Sequence, residues 1–109
     1  MMNPQHKELA AGRWKEMSLM RQMANIGSEI GRALSWKAKN NEAYAQKALF
    51  RGLELLSLTI ASAQKPSHYK ELTRLHECLV DYFLGENTFS SSEILWCKYF
   101  DHFNYAARN

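Results

Sequence analysis

Residues 95–109, LWCKYFDHFNYAARN, place an Asp–His pair, Asp101 and His102, among five aromatic side chains. A carboxylate beside an imidazole in an apolar pocket is a common arrangement for general acid–base catalysis. At helical periodicity, however, Asp101 falls on the flank of an aromatic stripe and His102 falls at its boundary. The stripe consists of Trp96, Tyr99, Phe100 and Phe103. We therefore interpret this stretch as the packing face of the last helix and predict no catalytic residue in it.

A second group that could do chemistry consists of charged residues inside or beside apolar stripes: Glu29, Arg32, Arg51, Glu54 and Asp81. An unpaired buried charge costs several kcal/mol, so such groups need partners. One interpretation is purely structural. Arg51 forms an ion pair with Glu54 three residues later, and Asp81 or Asp101 forms an ion pair with an arginine on a neighbouring helix. The other interpretation is that all five converge on a polar pocket between helices. We favour the structural interpretation.

Metal sites and phosphate-binding loops are not predicted. A di-iron or di-manganese bundle needs Glu-x-x-His pairs, and no glutamate here has a histidine three residues later. His76 and Cys78 point about 200° apart on a helix, so they cannot chelate one zinc ion. The chain also lacks a glycine-rich phosphate loop and a nucleophile elbow. We predict no metal and no cofactor, and we favour a non-catalytic protein while leaving the question of enzymatic activity open.

Aromatic residues outside the core pattern indicate an interaction surface. Trp36 lies near the end of one predicted helix, and Tyr44 and Phe50 lie on the next one. Trp and Tyr are enriched at interface hot spots, so we predict an interface at these three residues, with a homodimer as the first choice. Another protein is a possible partner. The rings of Trp36 and Tyr44, with lysines beside them, would also suit stacking on the bases of single-stranded RNA.

The elements that must position these residues are helices. The chain has 109 residues, enough for one domain with one core, and good helix formers dominate it. Valine occurs once and threonine three times, which is too few β-branched residues for a typical sheet. Residues 1–63 carry nine basic and five acidic side chains and residues 64–109 carry five and six. This bias is milder than that of dedicated nucleic-acid-binding proteins.

We predict an N-terminal arm over residues 1–17 and a bundle over residues 18–109, with helices at about 18–39, 42–62, 67–84 and 90–108. Because the connections are short, the expected fold is all-α, an up-and-down antiparallel four-helix bundle. The end signals are an N-cap at Ser18, a stop at Gly85, a capping box of Ser90 with Glu93, and a staple of Phe89 with Ile94.

Three details concern packing. Gly27 and Gly31 lie one turn apart inside the first helix, where each glycine costs about 1 kcal/mol relative to alanine. We therefore predict close approach of a neighbouring helix or of an aromatic side chain at both, with a ligand that reaches the backbone as the alternative. Trp14 and Met17, in the arm, are expected to fold back onto the body of the protein.

The compartment is predicted to be the cytoplasm. The first residues lack a continuous apolar stretch, and no window approaches the ~20 apolar residues of a membrane span. The two cysteines, Cys78 and Cys97, make no disulfide framework. No membrane association is expected.

Four stretches carry a resemblance to known proteins: SLMRQMANIGSEIGRALSWKAKN, KALFRGLELLSLTI, LVDYFLGENTFSSSE and KYFDHFNYAAR. Together they resemble a group of small bacterial and archaeal helical-bundle proteins of uncharacterised function. That resemblance covers residues 18–108 and implies a fold without a function.

At fold level the chain also loosely resembles the HEPN group and the substrate-binding subunits of nucleotidyltransferases. That resemblance implies a bundle that is often dimeric and sometimes a ribonuclease toxin. The HEPN nuclease motif is an arginine followed after four to six residues by a histidine, and no pair here has that spacing. We therefore predict a non-catalytic interaction module or regulatory subunit. The alternative is a nucleic-acid-acting protein of the toxin–antitoxin type, with Arg32, Arg51, Glu54 and Asp81 as its polar centre.

Overall fold

The computed structural model describes residues 12–108, which form helices joined by short connections and contain no strand. The all-α prediction is confirmed. A short helix, α1, covers residues 12–16. The long helices are α2 (Leu19–Ala38), α3 (Glu42–Ala61), α4 (Pro66–Leu84) and α5 (Glu93–Arg108). Most of the predicted N-terminal arm, residues 1–11, lies outside the described residues.

The starts of the first three long helices have local causes, which are side-chain caps for α2 and α3 and a proline for α4. Ser18 caps α2, and its Oγ accepts a hydrogen bond from the N–H of Arg21 at 3.2 Å. Asn41 caps α3 in the same way. Helix α4 begins one residue earlier than predicted, at Pro66, because proline needs no N–H partner in the first turn. It ends at Gly85, as predicted.

The predicted start of the last helix was wrong. Helix α5 begins at Glu93, and Ser90 has a left-handed φ of 56° outside the helix. The serine that caps α5 is Ser92, whose Oγ accepts a hydrogen bond from the N–H of Leu95 at 3.2 Å. The capping box of Ser90 with Glu93 therefore does not form.

A side-chain clamp in the connection explains the later start. The Asn87 amide accepts from the N–H of Ser91 at 2.8 Å and donates to its carbonyl at 2.9 Å. These two bonds hold residues 87–91 in a turn that cannot continue into a helix. The predicted staple fails with the capping box, and Phe89 and Ile94 are both at least half exposed.

Helix α2 is the centre of the packing. It packs against α3 and α5, and α3 packs against α4. The largest core side chains with almost no exposure are Met23, Ile26, Ile30, Leu49, Leu56, Leu79 and Thr59. Each large apolar one contributes about 1.5–3 kcal/mol by burial. These helix pairings do not give the directions of the helices, so the up-and-down antiparallel order stays a prediction. Among the described helices, none is both long and apolar enough to cross a bilayer.

Trp14 returns the start of the described chain to the core, as predicted. Its side chain is buried, and its Nε1–H donates a hydrogen bond of 2.8 Å to Thr59 Oγ1 on α3. The carbonyl of Trp14 accepts from Gln22 Nε2 at 2.7 Å. Met17 is partly buried against the core. Helix α1 is thus tied to both α2 and α3.

The two glycines of α2 have different surroundings. A Cβ at Gly27 would lie 2.9 Å from the Cβ of Phe100, so α5 approaches α2 closely at this point, as predicted. A Cβ at Gly31 would meet nothing within 4 Å. The prediction of close approach at Gly31 was therefore wrong, because this residue faces solvent.

We expect alanine to have opposite effects at these two positions. Gly27→Ala should lower the free energy of unfolding by about 1–3 kcal/mol, because the new methyl group overpacks against Phe100 near its backbone. Gly31→Ala should raise it by about 0.5–1 kcal/mol, because alanine favours the helix and meets no neighbour. Urea unfolding of both variants tests this. Shifts of the same sign would contradict it.

Candidate functional site

Three of the five predicted polar residues meet at Glu29. Its Oε1 contacts Arg32 Nη1, and its Oε2 accepts from Arg51 Nε at 2.5 Å. The Glu29 side chain is 9% exposed, whereas Arg32 and Arg51 are 64% and 58% exposed. A nearly buried carboxylate therefore anchors two guanidinium groups at the surface between α2 and α3. This arrangement supports a structural role.

The predicted Arg51–Glu54 pair does not form. Arg51 reaches across to α2 instead of along its own helix, because Gly52 lets the two helices approach closely. A Cβ at Gly52 would lie 2.9 Å from Ile30 Cδ1 and 3.4 Å from Glu29 Cβ. Within residues 12–108, Glu54 makes no ion pair.

Asp81 serves the connection between α4 and α5. Its carboxylate accepts from the N–H groups of Thr88 at 2.8 Å and Phe89 at 3.0 Å. The hydrogen bond from the Phe89 backbone is the main reason why the pKa of Asp81 lies below its usual value, and the Thr88 bonds act in the same direction. Asp81 is therefore hydrogen bonded within its own connection, whereas Glu29 is paired with Arg32 and Arg51.

This contact predicts a pH dependence. Because the pKa of Asp81 is lowered in the folded protein, its stabilising effect is present above the unfolded pKa, about 4, and is lost as pH falls through the folded value. Asp81→Asn should lower Tm at pH 7, and its difference from the parent protein should shrink below pH 4. Glu86→Gln, an exposed change in the same connection, is the control. A difference that stays constant down to pH 2 would contradict the prediction.

The predicted interface residues fall into two places. The rings of Trp36 and Tyr44 meet edge to face with centroids 4.9 Å apart. Lys39 Nζ lies 5.1 Å from the Trp36 centroid, and Lys47 Nζ lies 5.4 Å from that of Tyr44. Phe50, half exposed, lies six residues beyond Tyr44 and about 240° around α3. The three residues therefore do not form one surface.

A cleft of about 380 Å³ separates α4 from α2 and α5. This volume is at the lower end of the usual range for small-molecule sites. Its polar lining consists of His68, Glu71, Tyr99 and His102, and apolar residues that include Leu19, Met23, Leu72 and Phe103 line the rest. This site was not predicted from the sequence, because the two histidines are far apart along the chain.

The chemistry of the cleft is limited by its geometry. Burial, with a smaller contribution from the charge of Glu71, raises the pKa of Tyr99 to about 12, so its phenol remains a neutral donor at pH 7. No two of the four polar side chains are hydrogen bonded to each other in the part of the chain that the structure describes. The described residues also contain no cluster of three or more His, Cys, Asp or Glu side chains that could hold a metal ion. The cleft contains acid–base groups without an assembled catalytic pair.

Helix α5 carries the three most exposed large hydrophobic side chains among the described residues. Ile94 is 67% exposed, Leu95 is 56% exposed and Tyr105 is 73% exposed. The opposite face carries the predicted aromatic stripe: Trp96 and Phe100 are buried, and Tyr99 and Phe103 are partly buried against the core. Lys98 and Asp101 lie exposed between Ile94 and Tyr105. This outward surface, residues 94–105, is the candidate functional site.

The fold and this surface define an all-α protein with exposed apolar and charged residues on the outward face of its last helix. No protein-family model, curated protein or solved structure matches the chain. The resemblance to HEPN proteins and to small bacterial and archaeal bundles therefore stays a prediction from the sequence.

Proposed function

We propose that this chain is a non-catalytic interaction module that assembles with a second copy of itself through the outward face of α5. The observation that carries the proposal is the exposure of Ile94 and Tyr105 on the outward side of α5, with the exposed Leu95 beside Ile94. Ile94 and Leu95 form one apolar patch and Tyr105 a second, with Lys98 and Asp101 between them. Exposed apolar patches bordered by charged residues often mark a partner site. The proposal includes the up-and-down order of the four long helices and a cytoplasmic location.

The internal contacts of the charged residues support a non-catalytic role. Glu29 is neutralised by two arginines, and Asp81 is used by backbone N–H groups of its own connection. The groups in the cleft are not preassembled as a pair. A catalytic site needs a base within hydrogen-bond reach of the group that it activates.

Nucleic-acid binding is the second candidate, and the contact of Trp36 with Tyr44 favours it. Aromatic rings flanked by Lys39 and Lys47 are a common platform for single-stranded RNA. It ranks second because Arg32 and Arg51, part of the predicted polar centre of a toxin–antitoxin protein, already share Glu29. Binding of oligo(U) that weakens steeply with salt would favour this candidate.

Light scattering on two matched variants tests the first proposal. We expect the mass of the parent protein to rise with concentration towards twice the 12.6 kDa of one chain. Ile94→Glu should reduce the mass to that of one chain. Phe50→Glu, a change at a half-exposed apolar residue on α3, should leave the mass unchanged. A parent protein that is monomeric at every concentration would overturn the proposal, and so would dissociation by the Phe50 variant alone.

A further inference from the structure

Four exposed residues of α5 form a narrow stripe on its outward face: Ile94, Lys98, Asp101 and Tyr105. Their spacings of four, three and four residues are those of the seam of a coiled coil. At 3.6 residues per turn, all four lie within about 60° of the helix circumference. The stripe is thus a continuous seam that a second helix could occupy along its length.

The stripe is self-complementary when it is read in the opposite direction. It has an apolar residue at each end, and its two inner residues carry opposite charges. In an antiparallel pair of identical helices centred between residues 99 and 100, Ile94 faces Tyr105 of the second copy. Lys98 then faces Asp101 of the second copy, and the two-fold axis repeats both contacts.

We propose that two copies of this chain associate through an antiparallel α5–α5 contact with this register. The inference rests on the proposed function and specifies its geometry. A parallel pair would place Lys98 against Lys98 and Asp101 against Asp101. Like charges that face each other oppose association, so the charge pattern selects the antiparallel arrangement.

The surroundings of the stripe fit the same arrangement. Leu95, beside Ile94, comes next to the imidazole of His102 in the second copy. Leu84 and Phe89, both exposed, lie in or beside the connection that leads into α5. The stripe spans about 16 Å, a short contact of the kind that gives weak, concentration-dependent dimers.

Reversal of charge on the stripe tests the register. Lys98→Glu sets a second carboxylate against Asp101 of the other copy, and Asp101→Lys sets a second ammonium group against Lys98. We expect each single variant to raise the dimer Kd about tenfold or more. The double variant, Lys98→Glu with Asp101→Lys, restores opposite charges and should return the Kd to within about threefold of the parent value. Lys70→Glu, an exposed reversal on α4, is the control for net charge.

Sedimentation velocity over a dilution series gives these Kd values, and far-UV circular dichroism confirms that each variant is folded. If Ile94→Glu dissociates the parent dimer but neither charge reversal weakens it, the antiparallel register is overturned. The proposal that α5 forms the interface would still hold. A double variant as weak as the single variants would overturn the register in the same way. A monomeric parent protein would overturn both the register and the proposed function.

Discussion

Trp14→Ala is expected to lower the free energy of unfolding by about 3–5 kcal/mol, the range for truncation of a buried tryptophan. The side chain is 4% exposed, and it brings α1 onto the core. Its loss leaves a cavity under α1 and removes the donor that reaches Thr59 on α3. The bond from Gln22 to the carbonyl of residue 14 would then hold a segment with no anchor in the core.

Thermal unfolding measures this effect directly. For a domain of this size, a loss of 3–5 kcal/mol corresponds to a fall in Tm of about 15 °C or more. Trp36→Ala is the matched control, because Trp36 is only half buried and contacts Tyr44 at the surface. Its Tm should fall by less than half as much. Equal losses for the two variants would show that Trp14 is not a structural anchor.

The second large effect concerns Glu29. Replacing both of its partners, Arg32→Met with Arg51→Met, should cost about 3 kcal/mol, because a nearly buried carboxylate is left without a counter-charge. The value lies at the low end for a broken buried pair because both arginines are more than half exposed. Either single arginine variant should cost much less, since the other guanidinium remains in contact.

Glu29→Gln provides the contrasting experiment. It leaves two exposed arginines that water can solvate, so its cost should be about 1 kcal/mol. Urea unfolding at pH 7 gives all of these values in one series. If Glu29→Gln costs as much as the double arginine variant, the buried carboxylate is not the source of the effect.

The helix boundaries were predictable where local side chains determine them. Ser18 and Gly85 gave correct signals, since an N-cap hydroxyl and a helix-ending glycine act within a few residues. The start of α5 was not predictable in this way. Asp81 and the Asn87 amide organise the connection through contacts that span up to eight residues, and these prevail over the local capping signal of Ser90.

The contacts between helices were only partly predictable. A glycine in a helix correctly indicated close approach at Gly27, yet the same reasoning failed at Gly31, because composition does not say which side of a helix has a neighbour. The pairing of Arg51 with Glu29 depends on the gap that Gly52 leaves between two helices. The cleft histidines, His68 and His102, are brought together by packing alone.

The sequence contains the pattern of the candidate surface on α5, but we predicted the interface at Trp36, Tyr44 and Phe50 instead. The periodicity that correctly places Trp96 and Phe100 inside also places Ile94 and Tyr105 outside. Residue type alone favoured Trp36 as an interface residue, although its ring is half buried against Tyr44. The exposed fractions of Ile94, Leu95 and Tyr105 in the structure identify the outward face of α5 as the candidate surface.

Disulfide formation between two copies is the most direct test of the antiparallel α5 contact. In a background with Cys78→Ala and Cys97→Ser, one sample carries Ile94→Cys and another carries Tyr105→Cys. We predict a disulfide-linked dimer when the two samples are mixed and mildly oxidised, because these residues face each other across the contact. We predict little in either sample alone, since two copies of residue 94 lie about 16 Å apart along the helices, too far for a disulfide. Efficient dimers from the Ile94→Cys sample alone, or none from the mixture, would contradict the antiparallel contact.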